Sequence, residues 1–283
     1  MKQFIFVSAA ILLTLLMACG NLEKEINLDL PAYDSQYVVE CYLEPGQPFS
    51  LLLTRSFAYF DPFPTDLQQF VENLLVDSAA VTITHNGVAY ELPNQIYPNL
   101  ATGKIYNYYN PALVPQDYDS DFSLKITTPD GRTITATTRL LPVVPIDSVV
   151  VQFDEKRDTL ARVLTYLTDD TSTEDYYRRM YHLNSLDSIP RQDFTTFDDF
   201  VDNGRIVFGT PFDFKEGDTI YNTIFHIDRA YFDFWESVIN AVNANGNPFS
   251  QPTAILSNVK GDANAIGIFT GLSYDRDTTI IAK

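Results

Sequence analysis

The sequence predicts a mainly β protein, in which an immunoglobulin-like antiparallel β-sandwich precedes a second β-rich domain with one amphipathic helix at about residues 229–244. Short runs of alternating apolar and polar residues recur along the chain, turn residues separate them, and a helical apolar repeat occurs at one clear place. The 283 residues suffice for two domains. Hydrophobic and charged fractions of 45% and 20% indicate a globular chain rather than a disordered one.

Residues 1–18 are predicted to be an export signal. The uncharged apolar run over residues 4–18 is shorter than the ~20 residues that a membrane-spanning helix needs. It ends in Leu-Met-Ala-Cys at residues 16–19, which resembles the bacterial lipobox. That resemblance implies cleavage before Cys19, diacylglycerol on its thiol and an acyl chain such as palmitate on its freed amine, and we expect no other attached group. The alternative is an ordinary secretory signal with a coincidental cysteine.

Residues 19–35 are polar and acidic and are predicted to be a lipidated tether. The sandwich is predicted over residues 36–143. Its first run places Val39, Cys41 and Leu43 on one face, so Cys41 is interpreted as a buried core thiol rather than a nucleophile. Turns at Asn86-Gly87 and at Asp130-Gly131 predict two hairpins.

The two prolines of residues 141–145 indicate a connector, and the second domain is predicted over residues 146–283. Residues 184–204 are predicted to be an acidic, loop-rich stretch. The helix is predicted from apolar residues at helical spacing, with Asp228 as its N-cap and Asn245-Gly246 as its stop. Its apolar stripe consists of Tyr231, Phe234, Trp235, Val238, Ile239 and Val242.

The net charge of −18 makes nucleic acid and anionic lipid headgroups unfavourable partners. Contact with a membrane is therefore expected through the lipid anchor.

Several segments together resemble the Bacteroidota outer-membrane lipoproteins grouped as domain of unknown function 4249. They are residues 38–43, 144–149, 227–235, 247–250, 257–259 and 266–269. The loop at residues 260–264 departs from the pattern, because a shorter glycine pair is expected there. The resemblance implies an outer-membrane lipoprotein with a β-rich body, often encoded near TonB-dependent receptors. It supplies no catalytic residues, and it leaves open whether the body faces the periplasm or the cell surface.

Candidate binding residues are the tyrosines of a stretch rich in Asn, Pro and Gly. As loops at one end of a sandwich, they would offer rigid area for a protein or a sugar; alternatively, they cap the core. They are Tyr97, Tyr106, Tyr108, Tyr109 and Tyr118.

Metal and catalytic signals are weak. Asp117, Asp119 and Asp121 have the spacing with which a calcium loop begins, but Phe122 replaces its glycine and Thr128 its glutamate, so no metal is predicted. The three histidines lack ligand spacing. Two aspartate pairs, at residues 169–170 and 198–199, could serve a glycosidase only if the fold made them face each other.

These observations favour a non-enzymatic binding or accessory lipoprotein that works beside a TonB-dependent outer-membrane transport system. The alternative hypothesis is a glycan-directed hydrolase whose carboxylates the fold assembles.

Overall fold

The computed structural model describes residues 34–57, 66–99, 104–156, 158–198, 204–244 and 254–283. The chain divides into two units, Met1–Asp34 and Ser35–Lys283, and every described strand and helix belongs to the second. The export signal, Cys19 and almost all of the tether lie outside the described residues. Among the residues that are described, no helix combines the length and the apolar character that crossing a membrane requires.

The mainly β prediction is confirmed. The first half of the chain forms β1 (Tyr37–Leu43), β2 (Pro48–Arg55), α1 (Leu67–Leu74), β3 (Ala80–His85), β4 (Val88–Leu92), β5 (Asn94–Asn99), β6 (Lys104–Leu113), β7 (Phe122–Thr127) and β8 (Thr133–Thr138). The second half forms β9 (Ile146–Phe153), β10 (Ala161–Thr168), β11 (Tyr176–Leu183), β12 (Gln192–Phe197), β13 (Arg205–Gly209), β14 (Thr219–Ile227), α2 (Arg229–Ala244), β15 (Lys260–Gly261), β16 (Ala265–Gly271) and β17 (Ser273–Ile280).

The N-terminal sandwich consists of two five-stranded sheets. Sheet A has the order β16-β1-β2-β6-β5, and sheet B has the order β15-β8-β7-β3-β4. The two-residue period of β1 buries Val39, Cys41 and Leu43 completely, as predicted. They pack with apolar residues of sheet B such as Ile83 and Ile126, so one core lies between the two sheets.

Both predicted hairpins are present. Strands β3 and β4 pair up to His85 and Val88, and Asn86 and Gly87 adopt the positive φ values of 48° and 77° that such a two-residue turn requires. Strands β7 and β8 pair over their full lengths around the second turn. The prediction was accurate here because the turn residues themselves select the backbone conformation.

Strand β16 pairs with β1 in parallel, although the sequence predicted only antiparallel pairing. At Gly267, φ is 135°, and a Cβ atom would lie 1.9 Å from the carbonyl oxygen of Val39. Since no side chain fits in that space, glycine is what allows the two backbones to approach.

The outer edge of β16 is closed by two side chains. Ser257 Oγ donates to the carbonyl oxygen of Gly267 and accepts from its N–H, at 2.9 and 3.0 Å. Asn258 does the same for Phe269, at 2.7 and 3.0 Å. These side chains satisfy backbone groups that a further strand would otherwise pair with.

The C-terminal sandwich consists of sheet C, with the order β13-β10-β9, and sheet D, with the order β12-β11-β14-β17. Two apolar clusters fill the space between them, one around Val163 and Ile220 and the other around Leu167 and Ile224. The predicted connector separates β8 from β9. However, the N-terminal sandwich also takes β15 and β16 from the segment that the sequence assigned to the second domain.

Helix α2 lies at the predicted position, and Asp228 is its N-cap, since one carboxylate oxygen accepts the backbone N–H of Tyr231 at 2.7 Å. The other oxygen accepts the hydroxyls of Thr138 and Thr270, at 3.2 and 3.3 Å. Burial raises the pKa of Asp228. One side chain thus joins the helix to strands β8 and β16 of the N-terminal sandwich. The predicted stop at residues 245–246 lies outside the described residues.

Arg178 on β11 fixes the same helix against sheet D. Its guanidinium forms a bidentate pair with Asp193, with N···O distances of 2.7 and 2.6 Å, and donates to the hydroxyl of Tyr231 at 2.6 Å. It also lies 4.1 Å from the ring centre of Trp235. This combination of planar hydrogen bonding and stacking is one that lysine cannot reproduce.

We expect Gly267→Ala to lower the free energy of unfolding by about 3 kcal/mol or more, because it adds a steric clash with Val39 to an unfavourable φ. Gly46→Ala is the matched control, since φ at Gly46 is 77° but a Cβ atom there would meet nothing within 4 Å. Urea unfolding monitored by circular dichroism measures both variants. Equal losses would show that the close approach to β1 is not the reason for the glycine.

Candidate functional site

The prediction that the five candidate tyrosines lie on a loop is wrong for four of them, which lie on strands β5 and β6. Tyr106 and Tyr108 are buried, and the hydroxyl of Tyr108 donates to the carbonyl oxygen of Val76 and accepts the N–H of Ala79. The composition of the stretch resembles a loop, but the backbone pairing of β6 with β2 and β5 overrides that local preference. Tyr118 is half-buried and lies between β6 and β7.

The β5–β6 hairpin leaves a small apolar surface exposed. Pro98 and Ile105 are opposite each other, and Ile96 lies two residues before Pro98 on the same strand. Ile96 and Ile105 are 56% and 54% exposed, and Pro98 is also exposed. We call Ile96, Pro98 and Ile105 the hairpin patch. On this hairpin, Tyr97 and Tyr109 stack with their ring centres 4.3 Å apart.

The weak calcium-loop candidates do not assemble into an ion site. Asp117 accepts the N–H groups of Asp119 and Ser120, at 2.9 and 3.2 Å, and the side-chain amide of Asn86 at 2.8 Å. These hydrogen bonds, led by that from the Asp119 backbone, lower the pKa of Asp117 to about 2. Asp121 forms an ion pair with Arg139. The carboxylates therefore order a loop.

A different set of acidic side chains converges at one end of the C-terminal sandwich. Asp169 follows β10, Asp175 precedes β11 and Asp198 follows β12, and their ligand oxygens lie within 4.8 Å of one another. We call these three residues the aspartate cluster. The sequence singled out Asp169 and Asp198 but not their proximity, and it missed Asp175. Asp170 bonds Ser172 instead, and residue 199 lies outside the described residues.

Hydrogen bonds hold the aspartate cluster in place. The hydroxyl of Tyr177 donates to Asp169, and the backbone N–H of Asp175 donates to Asp198 at 3.0 Å. His226 lies with Nε2 3.1 Å from Asp175 Oδ1 and with Nδ1 2.8 Å from the carbonyl oxygen of Pro142. The cluster is thus tied to sheet D and to the connector between the sandwiches.

The pKa of Asp169 is raised, mainly by burial and also by the charges of Asp175 and Asp198. The hydrogen bond from Tyr177 lowers this pKa but does not cancel the increase. Three carboxylates at this spacing could hold a divalent cation such as Ca²⁺, whose oxygen ligands lie ~2.3–2.6 Å from the ion. Two of them could alternatively serve as acid and nucleophile, since their oxygens lie within 4.8 Å of each other and the two carboxyl groups of a retaining glycosidase are ~5–5.5 Å apart. Spacing along the sequence could not reveal this, because Asp169 and Asp175 lie in the β10–β11 connection and Asp198 lies in the β12–β13 connection.

The lone thiol and the other two histidines are all buried. Cys41 is fully buried, which raises the pKa of its thiol and makes it a poor nucleophile, as predicted. His85 stacks on Phe122, with ring centres 3.8 Å apart. His182 lies on β11, and its Nδ1 has no hydrogen-bond partner among the described residues.

Asp169→Asn should make the free energy of unfolding less dependent on pH. Because the folded-state pKa of Asp169 is raised, its stabilising contribution is present at low pH and is lost as pH rises through that raised value. The variant should therefore gain stability relative to the wild type between about pH 4 and pH 7 in urea unfolding.

Asp170→Asn is the control for this prediction and should behave in the opposite way. Hydrogen bonds from Ser172 lower the pKa of Asp170, so its contribution is present above the unfolded pKa and lost as pH falls. If Asp169→Asn lost stability relative to the wild type as pH rose, the assigned environment of Asp169 would be wrong.

Comparison with known proteins gives the chain a family. No curated protein matches it. The chain is similar to a solved structure titled "Cytokine receptor complex - Crystal form 1A", at 10% identity and a TM-score of 0.25, over 69% of this chain and 86% of that one. That similarity is too low to bear on function. A family model described as Domain of unknown function (DUF4249) matches residues 23–278, and the chain therefore belongs to this family.

Proposed function

We propose that this protein is a lipid-anchored, non-enzymatic binding protein of the outer membrane that works beside a TonB-dependent transporter. The hairpin patch is the observation that supports the binding role. Attachment would use the lipid on Cys19, since the net charge of −18 disfavours direct adsorption to anionic lipid.

The hairpin patch is suited to contact with a protein. Its two isoleucines expose more than half of their surface, and both lie on one hairpin, where Ile105 is opposite Pro98 and Ile96 is two residues before Pro98. Since burying a whole isoleucine side chain stabilises by ~1.5–3 kcal/mol, covering what is exposed here would contribute about 1 kcal/mol for each. The uncharged polar residues Asn94 and Gln95 precede the patch on the same strand and would suit the rim of an interface.

Affinity capture tests this proposal. The tagged full chain is recovered from gently solubilised outer membranes, and mass spectrometry identifies what co-purifies. We expect one TonB-dependent receptor in stoichiometric amount, and at least a tenfold smaller yield from the double variant Ile96→Ser, Ile105→Ser.

Ile189→Ser is the matched control, because Ile189 is 90% exposed but lies outside the hairpin patch. It should recover the receptor as the wild type does. If the wild-type lipoprotein is recovered without a receptor, the accessory role is wrong. If the double variant recovers as much receptor as the wild type, the hairpin patch is not the binding surface.

A second function, glycan hydrolysis, is favoured by one observation, the proximity of Asp169 and Asp198 in the aspartate cluster. In this case the raised pKa of Asp169 would suit a general acid, and a neighbouring carboxylate would act as the nucleophile. Release of reducing ends from a polysaccharide panel would then be lost in Asp169→Asn and Asp198→Asn and retained in Asp170→Asn. No release by the wild type on any polysaccharide would eliminate this function.

A further inference from the structure

The outer face of sheet C, which points away from the core of the C-terminal sandwich, is apolar at its centre. Buried and half-buried residues alternate along β10, so Leu164 and Tyr166 point outward. Leu164 lies opposite Val150 of β9, and Tyr166 lies opposite Val207 of β13. These two valines are 40% and 45% exposed. The four side chains therefore form one apolar surface across three neighbouring strands.

The outer face of sheet B has the composition that contact with water alone favours. Thr82, Lys125 and Thr135 lie side by side on β3, β7 and β8, and the next row consists of two threonines and a serine. An antiparallel sheet that packs on a core with one face normally carries polar residues on the other face in this way. Sheet C departs from that pattern, so contact with water alone does not account for its outer face.

An arginine lies at each end of this apolar surface. Arg162 is two residues before Leu164 on β10 and points outward like it. At the other end, Arg205 of β13 lies opposite Thr168 of β10. Since Arg162 and Thr168 are six residues apart on one strand, the backbones of the two arginines are ~20 Å apart. We call these six residues the sheet C face: Val150, Leu164, Tyr166, Val207, Arg162 and Arg205.

Both guanidinium groups of the sheet C face are fixed without a carboxylate. That of Arg205 lies 4.5 Å from the ring centre of Tyr166, and that of Arg162 lies 4.9 Å from the ring centre of Phe212. Arg162 also donates through Nε to Gln152 at 2.9 Å. Neither arginine forms an ion pair with any described residue. In a chain with 37 acidic and 19 basic residues, this face therefore carries a local excess of positive charge.

We propose that the sheet C face docks an extended, acidic segment of a partner protein. An extended chain rises ~3.3 Å per residue, so two carboxylates six residues apart span the ~20 Å between the arginines. The two side chains between them on the same face of the segment then cover the apolar centre. Each guanidinium, fixed on a ring, offers its fork of N–H donors to one carboxylate. Tyrosine and arginine are also the residue types in which protein interfaces are enriched.

The acidic residues of the chain do not prevent this contact. Asp147 of β9 accepts the hydroxyl of Thr168 at 2.8 Å, so it lies on the opposite side of β10 from Arg205. The net charge of −18 repels any anion at a distance. At physiological salt, however, charges beyond ~8 Å are largely screened, so the two arginines dominate the interaction at close range.

Fluorescence anisotropy on the detergent-solubilised full chain tests this proposal at physiological salt, with a labelled seven-residue peptide as the probe. The peptide has aspartate at both ends, valine at its third and fifth positions and threonine elsewhere, so that aspartates and valines share one face when it is extended. We expect saturable binding. A peptide with lysine in place of both aspartates should bind roughly tenfold more weakly, because it places like charges together.

Variants of the sheet C face have matched controls on sheet B. Arg162→Gln and Arg205→Gln should each weaken binding of the aspartate peptide about fivefold, since each removes one charge-assisted contact. Val207→Thr should weaken it about threefold, because it places a hydroxyl in the apolar centre. Lys125→Gln removes an exposed cation and Val88→Thr changes a valine that is 52% exposed, and both should bind like the wild type. Circular dichroism spectra should be unchanged in all five variants.

Four results would each overturn the proposal: no saturable binding of the aspartate peptide, equal binding of the lysine peptide, full binding by both arginine variants, or equal weakening by the sheet B variants. Polygalacturonate is the second probe. If it binds through both arginines while the aspartate peptide does not, the face recognises an anionic polysaccharide and the proposed protein segment is wrong. The assay contains no receptor and the face shares no residue with the hairpin patch, so these outcomes are independent of receptor capture.

Discussion

The parallel pairing of β16 with β1 is the constraint on which the rest of the structure depends. It places a C-terminal strand inside the N-terminal sandwich, and one residue later the same segment enters sheet D as β17. A single stretch of backbone therefore belongs to both sandwiches. Gly267 permits the close approach, and Ser257 and Asn258 close the outer edge, so this side of sheet A is not open to another strand.

This arrangement shows where the segments by which the sequence resembles its family lie in the fold. Residues 38–43 and 266–269 are the paired strands, residues 257–259 close the edge, and residues 227–235 contain Asp228 and the aromatic residues that hold α2. None of these segments contains a residue of the aspartate cluster or the hairpin patch. These segments therefore concern how the two sandwiches are joined.

Local features were predictable, and features that depend on distant parts of the chain were not. Asn86-Gly87 selects its own turn, and helix α2 with its cap at Asp228 follows from residues within a few turns of each other, although Ile239 and Val242 of the predicted apolar stripe are exposed. The tyrosines of β6 were misplaced because pairing with β2 and β5 determines their conformation. The aspartate cluster was missed because Asp198, in the β12–β13 connection, meets Asp169 and Asp175 of the β10–β11 connection only in the folded sheet.

The position of β16 in the chain also affects the order in which the strands of sheet A can pair during folding. Strand β1 ends at residue 43, but its parallel partner begins at residue 265. While the chain folds, sheet A stays unfinished until β16 joins it, and pairing over such a sequence separation is slow. Meanwhile the edge of β1 that β16 will occupy can pair with other chains. The net charge of −18, which disfavours nucleic acid and anionic lipid as partners, also opposes this mispairing, because incompletely folded chains repel one another.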